Sequence, residues 1–219
     1  SKEQAAKRKP DPSETLDRSC RAPILFLVCS ALLWLVVGSF FSLLAGVKMH
    51  APGMMADAAW STYGRVQPTS SVALLYGFLT QAGMAVAIWS ICRMGRTVLV
   101  DGGYVFLGGV LWNVGVTFSV LGILGGNASG LEGLPMPGKV VPLLFFGYAV
   151  IGLSAVQTIN RRTEEFIHPA MTFFLGALFW FPWVLGAAYL LLEHLGVHGV
   201  MINVVDWWYV QNFIHVILA

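Results

Sequence analysis

Long apolar stretches limit the fold of this chain more than any other feature. Residues 22–47, 71–92, 103–124, 140–159 and 169–192 each lack a charged side chain. A helix that crosses a bilayer needs about 20 apolar residues in succession. The whole chain is 57% hydrophobic and only 11% charged, whereas a soluble domain carries about 25% charged residues. The five stretches therefore predict an all-α integral membrane protein.

The C-terminal stretch 207–219 predicts a sixth helix that is too short to cross the bilayer. It begins with two tryptophans and a tyrosine, which are typical of a membrane interface. At about 1.5 Å per residue it spans about 20 Å of a hydrocarbon core about 30 Å thick. A start at Val197 would place Asp206 near mid-membrane at a large energetic cost. We therefore expect about six helices, the last continuing beyond Ala219 or completed by a second chain.

Lysine and arginine are distributed unequally between the two sides of the predicted bundle. With the N-terminus inside, ten of the 13 lysines and arginines fall on the cytoplasmic side, as basic segments of membrane proteins usually do. This predicts a cytoplasmic N-terminus, with residues 1–21 as a mobile polar tail and 49–70 as an outer loop. Because the tail also carries acids, we expect no nucleic-acid partner.

Few polar side chains within the spans suggest chemistry. Gln81, Asn113 and Gln157 are amides, and such groups within spans usually form hydrogen bonds between helices. The repeated glycines of the spans predict close helix contacts. The three cysteines show no metal-binding spacing, and Cys20 and Cys92 fall on the same side of the predicted bundle.

Two aromatic motifs point to a known family. One is WSTYGRVQPTSSVALLYGF at 60–78, and the other is WWYVQN at 207–212. Their order and spacing resemble the catalytic subunit of C-family heme–copper oxidases, the cbb-type cytochrome c oxidases. In that family a Gly-Arg–Leu-Arg-Pro–Leu-His stretch enters the second helix and Trp-Trp-Tyr-Gly-His-Asn enters the sixth. The resemblance covers roughly 22–219, and only the first half of the family's twelve-helix bundle.

The chain departs from this family at the metal ligands. By the resemblance, Ser70 stands where a histidine ligates the low-spin heme, and Gln211 stands where a histidine binds the active-site copper. A serine hydroxyl and an amide oxygen are poor substitutes for imidazole at iron and copper. Arg65 matches the family's arginine near the heme propionates, with which it could pair if a heme were present.

One other histidine is a candidate metal ligand on the predicted sixth helix. His215 lies four residues after Gln211, on the same helix face. A metal on His215 would lie about 6 Å deeper in the membrane than one on Gln211. The simpler interpretation is that His215 forms a hydrogen bond to a neighbouring helix. We therefore expect no cofactor in this chain.

The resemblance and the substitutions together predict a non-catalytic structural subunit of a respiratory complex in a bacterial inner membrane. Its partners would be lipid and other membrane subunits, including a chain that supplies the missing helices. One alternative is the N-terminal half of a split, active oxidase, with heme b and copper as cofactors, that couples electron transfer and oxygen reduction to proton translocation. Another is a transporter or channel, although the predicted spans lack the charged residues that such proteins use.

Overall fold

The observed fold is a bundle of long helices. The structure, a computed structural model, describes residues 12–163 and 168–218, and within these ranges it contains no strand. The six long helices of the described ranges are α1 Pro12–His50, α2 Tyr63–Met94, α3 Gly102–Leu124, α4 Val141–Asn160, α5 Pro169–His194 and α6 Val200–Leu218. The first five contain segments long and apolar enough to cross a membrane. The predicted all-α, multi-pass membrane architecture is thus confirmed.

Helix α1 begins earlier than the apolar pattern predicts. Residues 1–11 of the expected polar tail lie outside the described residues, but 12–21 are helical and continuous with the first predicted span. Apolar content marks only the membrane-facing part of a helix, and Pro12 suits a first helical position. An ion pair of 3.5 Å between Asp17 and Arg93 ties this polar extension to α2.

Helix α2 also starts within a segment predicted as loop. Residues 63–70 are helical, and a π-helical segment, Ala73–Leu79, follows within the same helix. The polar side chains of this first part find acceptors nearby: the Thr69 hydroxyl donates to the Arg65 carbonyl at 2.8 Å. Such local bonds let a polar sequence stay helical at the end of a membrane span.

Two ends of the bundle can be distinguished by their loops. We call the end with loops 51–62, 125–140 and 195–199 the Asp206 end, and the end with loop 95–101 the Cys20 end. At the Cys20 end, Cys20 and Cys92 are both buried and both free, and the ion pair between Asp17 and Arg93 joins the helix segments that carry them. Their predicted placement on one side of the bundle is confirmed.

Helices α3 and α4 pack closely through glycine. A Cβ atom on Gly108 would lie 2.6 Å from the backbone carbonyl oxygen of Gly147, so only glycine allows this approach. Small residues at helix contacts are the usual basis of tight packing in membranes, where no hydrophobic effect drives helices together. The expected close helix contacts are present here.

An amide cluster joins three helices in the bundle interior. The Trp34 indole N–H of α1 donates to Asn113 Oδ1 at 2.8 Å, and Asn113 Nδ2 donates to Gln81 Oε1 at 2.8 Å. The Ser30 hydroxyl reaches the same Gln81 oxygen at 2.6 Å. The expectation of interhelical bonding is confirmed for Gln81 and Asn113, whose polar atoms are thereby satisfied within the membrane.

Candidate functional site

Ser70 lies at the contact between α1 and α2. Its hydroxyl donates to the Gly38 carbonyl of α1 at 3.2 Å, and its side chain is buried. The helices approach so closely here that a Cβ on Gly38 would lie 2.7 Å from the Leu74 side chain. Ser70 therefore holds two helices together, and its one proton is used in that bond.

Arg65 caps the neighbouring helix α3. Its Nη1 donates to the carbonyl of Leu124, the last residue of α3, at 3.0 Å. The carbonyls at a helix C-terminus carry partial negative charge, which a guanidinium stabilises. Gly126 adopts φ +92°, and a Cβ there would lie 2.7 Å from Arg65 Nη2. The glycine thus leaves the space that the guanidinium occupies.

Gln211 and His215 lie one turn apart on α6. The Gln211 backbone carbonyl lies 2.5 Å from His215 Nδ1. Because a carbonyl only accepts, Nδ1 is the donor in this bond. His215 is exposed on the surface of the bundle, where it borders a groove with Thr172, Gly176 and Trp180 of α5. Its hydrogen bond is therefore within its own helix, not to a neighbouring one.

These positions contact different parts of the bundle. Ser70 contacts α1, Arg65 contacts the end of α3, and His215 bonds within α6. Among the described residues no group of three or more His, Cys, Asp or Glu side chains could hold a metal. A hydroxyl that donates to a carbonyl and an amide oxygen do not match the imidazole donors that heme iron and copper prefer.

Asp206 organises a polar cluster that was not foreseen. The residue is only 9% exposed, and its carboxylate accepts hydrogen bonds from the backbone N–H groups of Glu132 and Gly133 at 3.1 and 3.0 Å. The Tyr76 hydroxyl donates to the Gly133 carbonyl at 2.6 Å and lies 2.8 Å from the Tyr209 hydroxyl. Since the Tyr76 proton is engaged with Gly133, Tyr209 donates to Tyr76.

This cluster explains why the predicted start of the sixth helix is wrong. Helix α6 begins at Val200, just after Gly199 at φ +65°, and so includes Asp206 in its second turn. The sequence predicts a start at Trp207 because a buried carboxylate is costly without partners. The two backbone N–H groups supply those partners. The position of Asp206 within an apolar stretch was the sequence signal that hydrogen-bond donors lay nearby.

Comparison with known proteins adds no identification. No protein-family profile matches the chain, and no curated protein matches it. What the geometry defines is a multi-pass helical membrane protein with a tightly bonded polar cluster at its Asp206 end.

Proposed function

We propose that this chain is a non-catalytic structural subunit of a respiratory membrane complex. Its scaffold would correspond to the first half of the catalytic subunit of C-family heme–copper oxidases. The observation that carries the proposal is the use of Ser70 in the α1–α2 contact. At the position where that family has a heme-ligating imidazole, this chain has a side chain that stabilises a helix pair instead.

Arg65 supports the same proposal. In the family its counterpart lies near heme propionates, whereas here the guanidinium neutralises the C-terminal end of α3. Arg65 would thus stabilise the fold instead of contacting a cofactor. The aromatic and Gly-Arg motifs would be retained because they build helix contacts.

The surface of α6 supports the presence of partner subunits. Gln211 is half-buried, and His215 is exposed in the groove that it shares with α5. Polar groups that face lipid are costly within a membrane, and a neighbouring helix would satisfy them. The proposal places a chain that supplies further helices on this side.

We also propose that the chain lies in a bacterial inner membrane with its N-terminus in the cytoplasm. The distribution of lysine and arginine, ten of 13 at the Cys20 end and in the N-terminal segment, supports an N-terminus in the cytoplasm. The resemblance to a bacterial oxidase family supports a bacterial inner membrane. The Asp206 end would then face outward.

One experiment tests the proposed function. The complex that contains this chain is purified in mild detergent, and its reduced-minus-oxidised absorption spectrum and metal content are measured. The same measurements are made on a Gln211→Ala/His215→Ala double variant. The control is His50→Ala, which changes a histidine in the last turn of α1. We expect co-purifying membrane subunits and identical heme and copper content in all three samples.

Two results would contradict the proposal. A heme or copper signal that disappears in the double variant but not in His50→Ala would assign a metal site to α6 and favour a split, active oxidase. A chain that purifies without partner subunits and moves a solute across vesicle membranes would favour a transporter.

A further inference from the structure

A groove runs along α2 on the side that faces α6. It lies between these two helices and residues 131–135 of the loop between α3 and α4, and its volume is about 310 Å³. Its α2 lining extends from Gln67 to Leu79, a length of about 18 Å at 1.5 Å per residue. That length is about the depth of one leaflet of a hydrocarbon core about 30 Å thick.

The groove changes from polar to apolar along its length. Gln67, Ser71 and Glu132 line it at the Asp206 end. Deeper in the bundle the lining becomes apolar. Leu75 and Leu79 line it from α2, and Phe213 and Ile214 line it from α6. A molecule that fills it must therefore have a polar end at the loops and an apolar chain that follows α2 inward.

The polar rim is acidic. Glu132 is exposed, and its own backbone N–H donates to the buried Asp206 carboxylate. Among the residues that the structure describes, neither carboxylate forms an ion pair with lysine or arginine. At the same end Lys48 donates to the Met54 carbonyl and Arg65 to the Leu124 carbonyl. The rim therefore favours a cationic group that the described part of the chain does not supply.

We propose that this groove binds one phospholipid with an ethanolamine headgroup. The ammonium group lies at Glu132, and the second N–H of the Gln67 side-chain amide donates to the headgroup. One acyl chain lies against Leu75, Leu79 and Ile214. The lipid fills the groove between α2 and α6, over the buried pair Tyr76 and Tyr209. This inference concerns lipid only and does not depend on the proposed respiratory role.

The test uses the full chain in nanodiscs that contain a photoactivatable lipid. Phosphatidylethanolamine and phosphatidylglycerol carry the same diazirine-bearing acyl chain in separate samples, and mass spectrometry maps the cross-linked residues. We expect the ethanolamine probe to label residues 75–79 and 210–214 preferentially. Leu75→Trp fills the groove from α2 and should reduce this labelling severalfold, and Ile214→Trp should do the same from α6. Leu121→Trp, on the lipid-facing side of α3, should leave it unchanged.

Headgroup selection is tested in the same samples. Glu132→Gln should lower the preference for ethanolamine over glycerol about threefold, which is the size of an exposed ion pair. Glu193→Gln removes an exposed acid at the same end and should not change this preference.

Labelling spread evenly around the bundle, or unaffected by both tryptophan variants, would overturn the site. Equal labelling by both wild-type probes, or displacement of the ethanolamine probe by an isoprenoid quinone, would overturn the choice of ligand. Circular dichroism and elution volume establish that each variant is folded.

Discussion

The Asp206 carboxylate on α6 accepts a 3.0 Å hydrogen bond from the backbone N–H of Gly133, in the loop between α3 and α4. Gly133 fits only without a side chain, since a Cβ there would lie 2.9 Å from Asp206 Oδ1. This contact fixes the loop against the start of α6. Loss of this carboxylate should therefore destabilise the Asp206 end.

Asp206→Ala should lower the free energy of unfolding by about 1.5–3 kcal/mol, the range for hydrogen bonds to a charged group. The variant loses the acceptor for two backbone N–H groups, Glu132 and Gly133. Denaturant titration in detergent micelles measures the change, and limited proteolysis should cut the 125–137 loop faster. Asp57→Ala, at an exposed loop position, should change stability by less than about 0.5 kcal/mol. Equal effects of the two variants would contradict the anchoring role.

The two buried tyrosines should respond unequally to loss of their hydroxyl groups. Tyr76→Phe removes the donor to Gly133 and also the acceptor for Tyr209. A hydroxyl left buried without a partner costs about 1–3 kcal/mol. Tyr209→Phe leaves the Tyr76 bond to Gly133 intact and should cost only about 0.5–1.5 kcal/mol.

A double-mutant cycle on these tyrosines measures the coupling directly. Unfolding free energies of the wild type, both single variants and the double variant are compared in the same detergent. We expect the Tyr209→Phe change to cost less in the Tyr76→Phe background, because its partner is already absent. Additive effects would show that the two hydroxyls are not linked.

Gly108→Ala should separate α3 from α4. The added methyl group would lie 2.6 Å from the Gly147 carbonyl oxygen, and overpacking of this kind costs about 1–3 kcal/mol. Gly83→Ala, on α2, is the matched control because nothing lies within 4 Å of its added Cβ. The control should keep or raise stability, since alanine restricts the unfolded chain. If both variants unfold at the same denaturant concentration, the close α3–α4 contact is not needed for folding.

The proposed orientation can be tested by cysteine labelling in cells. In a cysteine-free background, Asp57→Cys at the Asp206 end should react with a membrane-impermeant maleimide in cells with a permeable outer membrane. Thr163→Cys, at the Cys20 end, should react only after the inner membrane is lysed. Both positions are exposed, so access and not burial decides the result. The reverse pattern would place the N-terminus outside.

Helix existence could be predicted more reliably than helix boundaries. The span predicted at 103–124 agrees with Gly102–Leu124 to within one residue at its start, because short polar or glycine-rich turns flank it. The start of α2 could not be predicted, since the sequence from Tyr63 to Ser70 is polar. Its helical form depends on acceptors such as the Gly38 carbonyl, 32 residues away in the chain.

The amino-acid sequence by itself determined that this protein is helical and lies in a membrane. Uncharged stretches of about 20 residues must form helices in a membrane, because their backbone groups can be satisfied only internally. The tertiary structure alone decided what the polar residues do. Ser70, Arg65 and Asp206 each bond to a backbone group of a different helix or loop. Such contacts depend on how helices cross, which no local pattern encodes.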